Sequence, residues 1–230
     1  MTYIIIIIGF VILSWAVQNR LKKKFRKYSL IPLKSNLSGA EVAQLMLADN
    51  GIRDVKVTCV GGQLTDHYNP VSKTINLSEA VYTGRNAAAA AVAAHETGHA
   101  VQHAKAYSML EVRSTLVPVQ NASARIMNYI FYGLIISTFM LPGLMPWNLA
   151  ILIIIGCYFI FTLFAFVTLP VEFDASKRAL AWVEERGIVT PEEHYMAKDA
   201  LKWAAMTYVV TALSSLAMLA FWIFAFLGND

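Results

Sequence analysis

From Trp147 to Leu169 the chain carries no charged side chain, and an apolar run of that length has one stable solution, a helix across a bilayer. The hydrocarbon core offers no water to backbone N–H and C=O groups, so they must be paired within the segment. Roughly 20 residues at 1.5 Å each span it. Three further segments, Thr2 to Val17, Met127 to Met145 and Trp203 to Leu227, are uncharged in the same way. The expected fold class is an α-helical membrane protein with four transmembrane helices (2–17, 127–145, 147–169 and 203–227). A small α+β domain is expected in 18–126, and a helical segment in 170–202.

The charges orient this arrangement. All 19 Lys and Arg residues fall within 18–126 and 170–202. Cytoplasmic loops collect positive charge, so both segments are expected inside, with the amino and carboxyl termini outside. The start, Met1-Thr2-Tyr3, has no positive charge, and no Ala-x-Ala site follows the isoleucine run, so a reverse anchor is expected rather than a signal peptide. The basic cluster from Arg20 to Lys27 fits topology and anionic headgroups, and a net charge of +4 gives no reason to expect nucleic acid. A transporter is disfavoured because the expected spans contain no Asp, Glu, Lys, Arg or His to line a path. Cys59 and Cys157 lie in the cytosolic domain and the third span. They imply a reducing compartment and no structural disulfide.

The chemistry is concentrated in Ala94-His95-Glu96-Thr97-Gly98-His99. Asn86 is a suitable N-cap and Ala87 to Ala94 is nearly all alanine, which puts this stretch in the middle of a helix from Asn86 to about Lys105. At about 100° per residue His95 and His99 share a face some 6 Å apart along the axis, close enough for both to bind one tetrahedral zinc ion. Glu96, rotated by one residue, lies beside the metal and is the candidate general base for the attacking water. Gly98 costs roughly 1 kcal/mol in a helix, which points to close packing or a close backbone approach beside the metal, and a tolerated glycine is equally compatible. His103 is too far along an unbroken helix to be a third ligand, and a role behind the site or on the surface is expected for it.

Around this helix the expected order is a helix opened by the Ser38–Glu41 capping box and ended at Asn50-Gly51, a strand over Asp54–Val60, and two more strands, Leu64–Tyr68 and Lys73–Leu77. A strand edge beside the motif helix offers backbone groups for an extended peptide. His67 lies on that hairpin. It is a candidate to donate to a developing oxyanion or to bind the metal when no substrate is present, and an exposed histidine held by Asp66 is equally compatible. Tyr68 is a similar candidate.

The third protein ligand must come from the same side of the membrane. Spans two and three form a hairpin through Leu141–Pro146, the chain returns near Pro170, and Glu172 is the first acid it presents. A carboxylate at the mouth of a span needs a partner, and a metal ion is a good one. Asp174, about 200° around the helix, is expected to pair with Lys177 or Arg178. That helix should stop at Gly187, and Thr190-Pro191-Glu192-Glu193 should start another through a capping box.

Taken together, His95-Glu96-Thr97-Gly98-His99, Asp66-His67-Tyr68-Asn69-Pro70 and Pro170-Val171-Glu172-Phe173-Asp174-Ala175 resemble the bacterial membrane-bound neutral zinc metallopeptidases, the YugP-like family. Val112 to Val119 and Met206 to Val209 agree with it. The resemblance implies a metallopeptidase, zinc, and a bacterial inner-membrane setting. More distantly the chain is similar to HtpX-type membrane gluzincins, in which a Glu after a membrane hairpin completes the site. Glu172 matches that position, but Ser176 stands where those proteins carry Asp four residues later.

The reading is an integral-membrane zinc metalloendopeptidase with a cytosolic, zincin-like domain. One Zn²⁺ per chain is held by His95, His99 and Glu172, and Glu96 is the catalytic base. Expected partners are a peptide or membrane-protein substrate and the lipid bilayer, with no nucleic acid. The alternative is a zinc-stabilised membrane adaptor that binds peptide without cleaving it, against which the presence of Glu96 argues.

Overall fold

The computed structural model describes residues 2–228. Its elements run α1 (Thr2–Ser29), α2 (Gly39–Asp49), β1 (Lys56–Val60), β2 (His67–Asn69), β3 (Thr74–Ser78), α3 (Glu79–Tyr82), α4 (Ala87–Ala104), α5 (Ser108–Phe139), α6 (Trp147–Glu185) and α7 (Pro191–Leu227). The chain divides into two compact units. One comprises the residues up to Ser14, Val112–Leu169 and those from Tyr208 on, and the other Trp15–Glu111 and Pro170–Thr207.

The first unit is helical and apolar. Three of the described helices, α1, α6 and α7, are long and apolar enough to cross a membrane. The expected span over Met127–Met145 forms helix only as far as Phe139. Residues 140–146 are turns, because Pro142 and Gly143, the latter at φ 87°, cannot continue a helix. Ile130, Ala150 and Ile154 form a small buried cluster in this unit, while Tyr129, Phe131, Phe139 and Phe224 stand exposed. Exposed aromatic and aliphatic side chains of that kind suit a lipid rather than an aqueous surround.

The second unit holds the sheet and most of the core. The strand order is β1-β3-β2, with β1 parallel and β2 antiparallel to β3, so the central strand is the last in sequence. Val42, Met46, Ile75, Leu77 and Val81 are at most 1% exposed and pack with the alanines of α4. Every residue from Ala87 to Gln102 except Val92 is buried in α4. A helix covered on all sides needs small side chains, and alanine supplies both the small volume and the helix propensity.

The expected local signals are in place. Ser38 and Glu41 form a complete capping box on α2, Asn86 accepts the Ala89 N–H at 2.9 Å to open α4, and Thr190 and Glu193 exchange the same bonds ahead of α7. Glu193 also accepts the Lys34 N–H at 2.7 Å, tying the amino-terminal linker to α7. Gly187, at φ 67°, follows the end of α6. Cys59 and Cys157 are both free thiols.

Candidate metal centre

Helix α4 presents His95 and His99 one turn apart, with ring centroids 4.8 Å apart and planes at 81°. Both residues are more than nine-tenths buried. Opposite them is α6, and Gly98 allows the approach. A Cβ at Gly98 would sit 2.7 Å from the Ala175 carbonyl oxygen, a distance no real Cβ adopts. The helices therefore meet backbone to backbone at Gly98–Ala175. Glu172 lies one turn before that contact on α6 and Ser176 immediately after it, so both reach the two imidazoles.

Glu172 is 2% exposed. Its Oε2 lies 3.3 Å from His95 Nε2 and 3.6 Å from His99 Nε2, and yet it is a buried oxygen with no hydrogen-bond partner. A tetrahedral zinc ion with ligand bonds of 2.0–2.2 Å requires donor atoms about 3.4 Å apart. The donor set, two imidazole nitrogens and one carboxylate oxygen, fits such an ion in kind, and the distances from the carboxylate to both nitrogens fit it in spacing. The orphaned oxygen has the partner it needs once a cation sits among the three.

Two hydrogen bonds orient the imidazoles. Gln102 Nε2 donates to the Val171 carbonyl and to Asp174 Oδ2, both at 2.8 Å. Its amide oxygen is thereby turned to His99 Nδ1 at 3.0 Å. That oxygen only accepts, so Nδ1 carries the proton and Nε2 presents its lone pair towards Glu172. Asp174 in turn is held by Arg178, which lies 2.5 Å away and over the Tyr107 ring. His95 Nδ1 meets Ser176 Oγ at 3.1 Å. The expected Asp174–Arg178 pair is thus present, and through Gln102 it supports His99.

Gln102 is a support the sequence reading did not name, whereas Ser176 occupies the position, four after Glu172, where the more distantly similar proteins carry Asp. Both have a positional signal, since Gln102 lies three residues after His99 and Ser176 four after Glu172, each on the face of its ligand.

Burial opposes protonation of His99, but the carboxylates of Glu172 and Glu96 outweigh it and raise its pKa above the ordinary imidazole value. Asp174 is also partly buried, which would raise its pKa; Arg178 and Gln102 outweigh that and hold it below the usual carboxylate range.

Glu96 lies beside the ligand pair, mostly buried, and its Oε2 accepts the Tyr68 backbone N–H at 3.0 Å. That bond ties the candidate base to β2, the edge strand of the sheet. The Tyr68 hydroxyl meets His103 Nδ1 at 2.8 Å, so His103 sits behind β2 and outside the ligand group, as its place on an unbroken helix implies. His67 is exposed, with Nδ1 at 2.8 Å from the Thr65 carbonyl and Nε2 at 3.1 Å from Asn76 Nδ2. Asp66 does not hold it. That carboxylate, just ahead of β2, instead accepts from the Ser78 N–H and hydroxyl ahead of α3.

The family model described as "Putative neutral zinc metallopeptidase" matches residues 3–227. The chain is 38% identical over 232 residues to the "Putative membrane protease YugP" of Bacillus subtilis (strain 168), covering 100% of this chain and 99% of that protein. No solved structure matches it.

Proposed function

This chain belongs to the neutral zinc metallopeptidase family, and from that premise we propose that it is a membrane-embedded endopeptidase. Its site faces the cytoplasm and cleaves membrane or membrane-proximal proteins. The observation that carries the reading is the buried, unpartnered Glu172 oxygen 3.3 and 3.6 Å from two imidazole nitrogens, with Glu96 alongside.

His95, His99 and Glu172 would hold one zinc ion, which would supply Lewis-acid polarisation of a peptide carbonyl and acidification of water. The protein supplies the rest. Gln102 keeps His99 in the tautomer that offers Nε2, and Ser176 holds the His95 ring in place through Nδ1. Glu96, fixed at Oε2 by the Tyr68 N–H, takes the proton of the attacking water at its other oxygen and returns it to the leaving amine. The outer edge of β2 aligns an extended substrate beside Glu96 by strand addition. His67, on the same strand, is placed to donate to the oxyanion.

The confinement of all 19 basic residues to 18–126 and 170–202 supports external termini and a fourth crossing by the apolar part of α5, up to Phe139. The exposed thiol of Cys59 tests that orientation. A membrane-impermeant maleimide should label it in inverted vesicles and not in intact cells. Labelling from outside would reverse the topology.

The activity is tested by cleavage of an unfolded membrane protein with detergent-purified wild type and Glu96→Gln, zinc being quantified on both. The expected result is a loss of about 10²–10⁴-fold in rate with zinc retained. Equal cleavage by the variant would remove Glu96 as the base.

A further inference from the structure

A second feature of the zinc-holding unit is an open groove of about 600 Å³ between α6 and α7. One wall is the α6 face with Phe173 and Lys177, and the other is the α7 face with Lys198, Leu201, Lys202 and Met206. Its floor is apolar, and Phe173 remains 48% exposed. The three lysines are exposed, and among the described residues none of them forms an ion pair. Glu184, the one acid lining the groove, lies 3.6 Å from His194. An apolar trough with unpaired cations along its rim is complementary to an amphiphile with an anionic head. In sequence both helices contain uncharged apolar stretches next to these residues, 147–169 in α6 and 203–227 in α7.

We propose that this groove binds an anionic phospholipid of the surrounding bilayer, with the acyl chain along Phe173, Leu201 and Met206 and the phosphate among Lys177, Lys198 and Lys202. The inference rests on the membrane reading of α6 and α7 and not on peptide cleavage. Ser176, whose hydroxyl meets His95 Nδ1 at 3.1 Å, also lines the groove, so the lipid would lie directly behind one zinc ligand. An acidic segment of a substrate protein would also complement the lysines, but the apolar floor favours the lipid.

The test is native mass spectrometry of the full-length protein in detergent, titrated with phosphatidylglycerol or phosphatidylcholine. It compares wild type, Lys177→Ala/Lys198→Ala/Lys202→Ala, and a control with Arg53→Ala/Lys56→Ala/Lys105→Ala, three exposed cations outside the groove. At about 5-fold per lysine near a membrane surface, the groove variant should bind phosphatidylglycerol on the order of 100-fold more weakly. The control should bind it like wild type, and phosphatidylcholine should bind wild type weakly. Equal binding of phosphatidylglycerol by wild type and groove variant overturns the proposal. So does displacement of the lipid by an acidic peptide that itself requires the three lysines. Glu96→Gln should bind lipid like wild type, which separates a failure of the protease reading from a failure here. Extraction by alkaline carbonate tests the membrane reading independently.

Discussion

The ligand cluster on α4 and α6 and the β2 hairpin beside it are built on opposite principles. In the cluster His95, His99 and Glu172 are buried or nearly so; each Nδ1 has a hydrogen-bond partner, and the two helices touch backbone to backbone at Gly98. The hairpin has three residues in its edge strand and an exposed histidine held, among the described residues, by Thr65 and Asn76. A metal site must keep donor atoms within tenths of an ångström, which packing and buried hydrogen bonds enforce. A surface proposed to receive varied extended peptides needs room to adjust. The Tyr68 N–H bond to Glu96 is where the rigid part and the adjustable part meet.

The most direct way to break the rigid side is to remove its third donor. Glu172→Ala should abolish stoichiometric zinc retention and cleavage together, because two imidazoles alone leave a zinc ion without its third protein ligand. Retained zinc in a metal assay would place the third ligand elsewhere. Gly98→Val acts on the same cluster without touching a donor. Its side chain meets the Ala175 carbonyl, so it should cost about 1–3 kcal/mol in stability and lower zinc occupancy. A melting temperature and zinc content equal to wild type would show that the helices can move apart without consequence.

Smaller effects should come from the groups that orient the ligands. Gln102→Leu and Ser176→Ala should each weaken zinc by about 10–100-fold. Gln102→Leu should do so more strongly, since it also leaves the Val171 carbonyl and Asp174 without the amide they accept from. Competition with a zinc-binding dye would order them, and the reverse order would mean that His95, not His99, is the ligand whose orientation matters more. On the hairpin, His67→Ala should leave zinc affinity within about 2-fold of wild type while lowering kcat more than it raises KM, the pattern of a contact made mainly in the transition state. Loss of zinc in that variant would make His67 a ligand.

The smallest effect is one of pH. His99 has its pKa raised above 6.5 by Glu172 and Glu96 acting against burial. In the metal-stripped protein this stabilisation is therefore fully present below about 6.5 and is lost as the pH rises through the higher folded value. Zinc binding runs the other way, weakening as the pH falls through that same value, because the ion competes with a proton for Nε2. Histidine NMR of the stripped protein should show one imidazole titrating above 6.5 in wild type and moving down in Glu172→Gln. An unshifted resonance in both would remove the carboxylates as the cause.

Much of this molecule is written in local patterns that a linear sequence carries intact. The i, i+4 spacing of His95 and His99 needs only a helix, and Asn86 with the alanine run makes that helix. Both Ser/Thr–Glu capping boxes are four-residue statements, and both formed. Glu172 was legible because a carboxylate directly after an apolar run demands a partner, and Gly98 because glycine inside a good helix demands a reason.

What the tertiary structure alone decided are relations between segments far apart in the chain. The β1-β3-β2 order could not be read from three short strands, since parallel pairing of β1 with β3 depends on the whole crossover between them. Asp66 turned to Ser78 instead of His67, and Tyr68 contributed its backbone N–H rather than its phenol to Glu96, because the register of a strand chooses which groups face which neighbour. Gln102 became the support of His99 only when α6 brought Val171 and Asp174 within 2.8 Å of its amide. Helical and capping patterns depend on bonds within a few residues and survive in sequence, whereas the direction of a buried hydrogen bond depends on which distant partner the packed chain delivers to it.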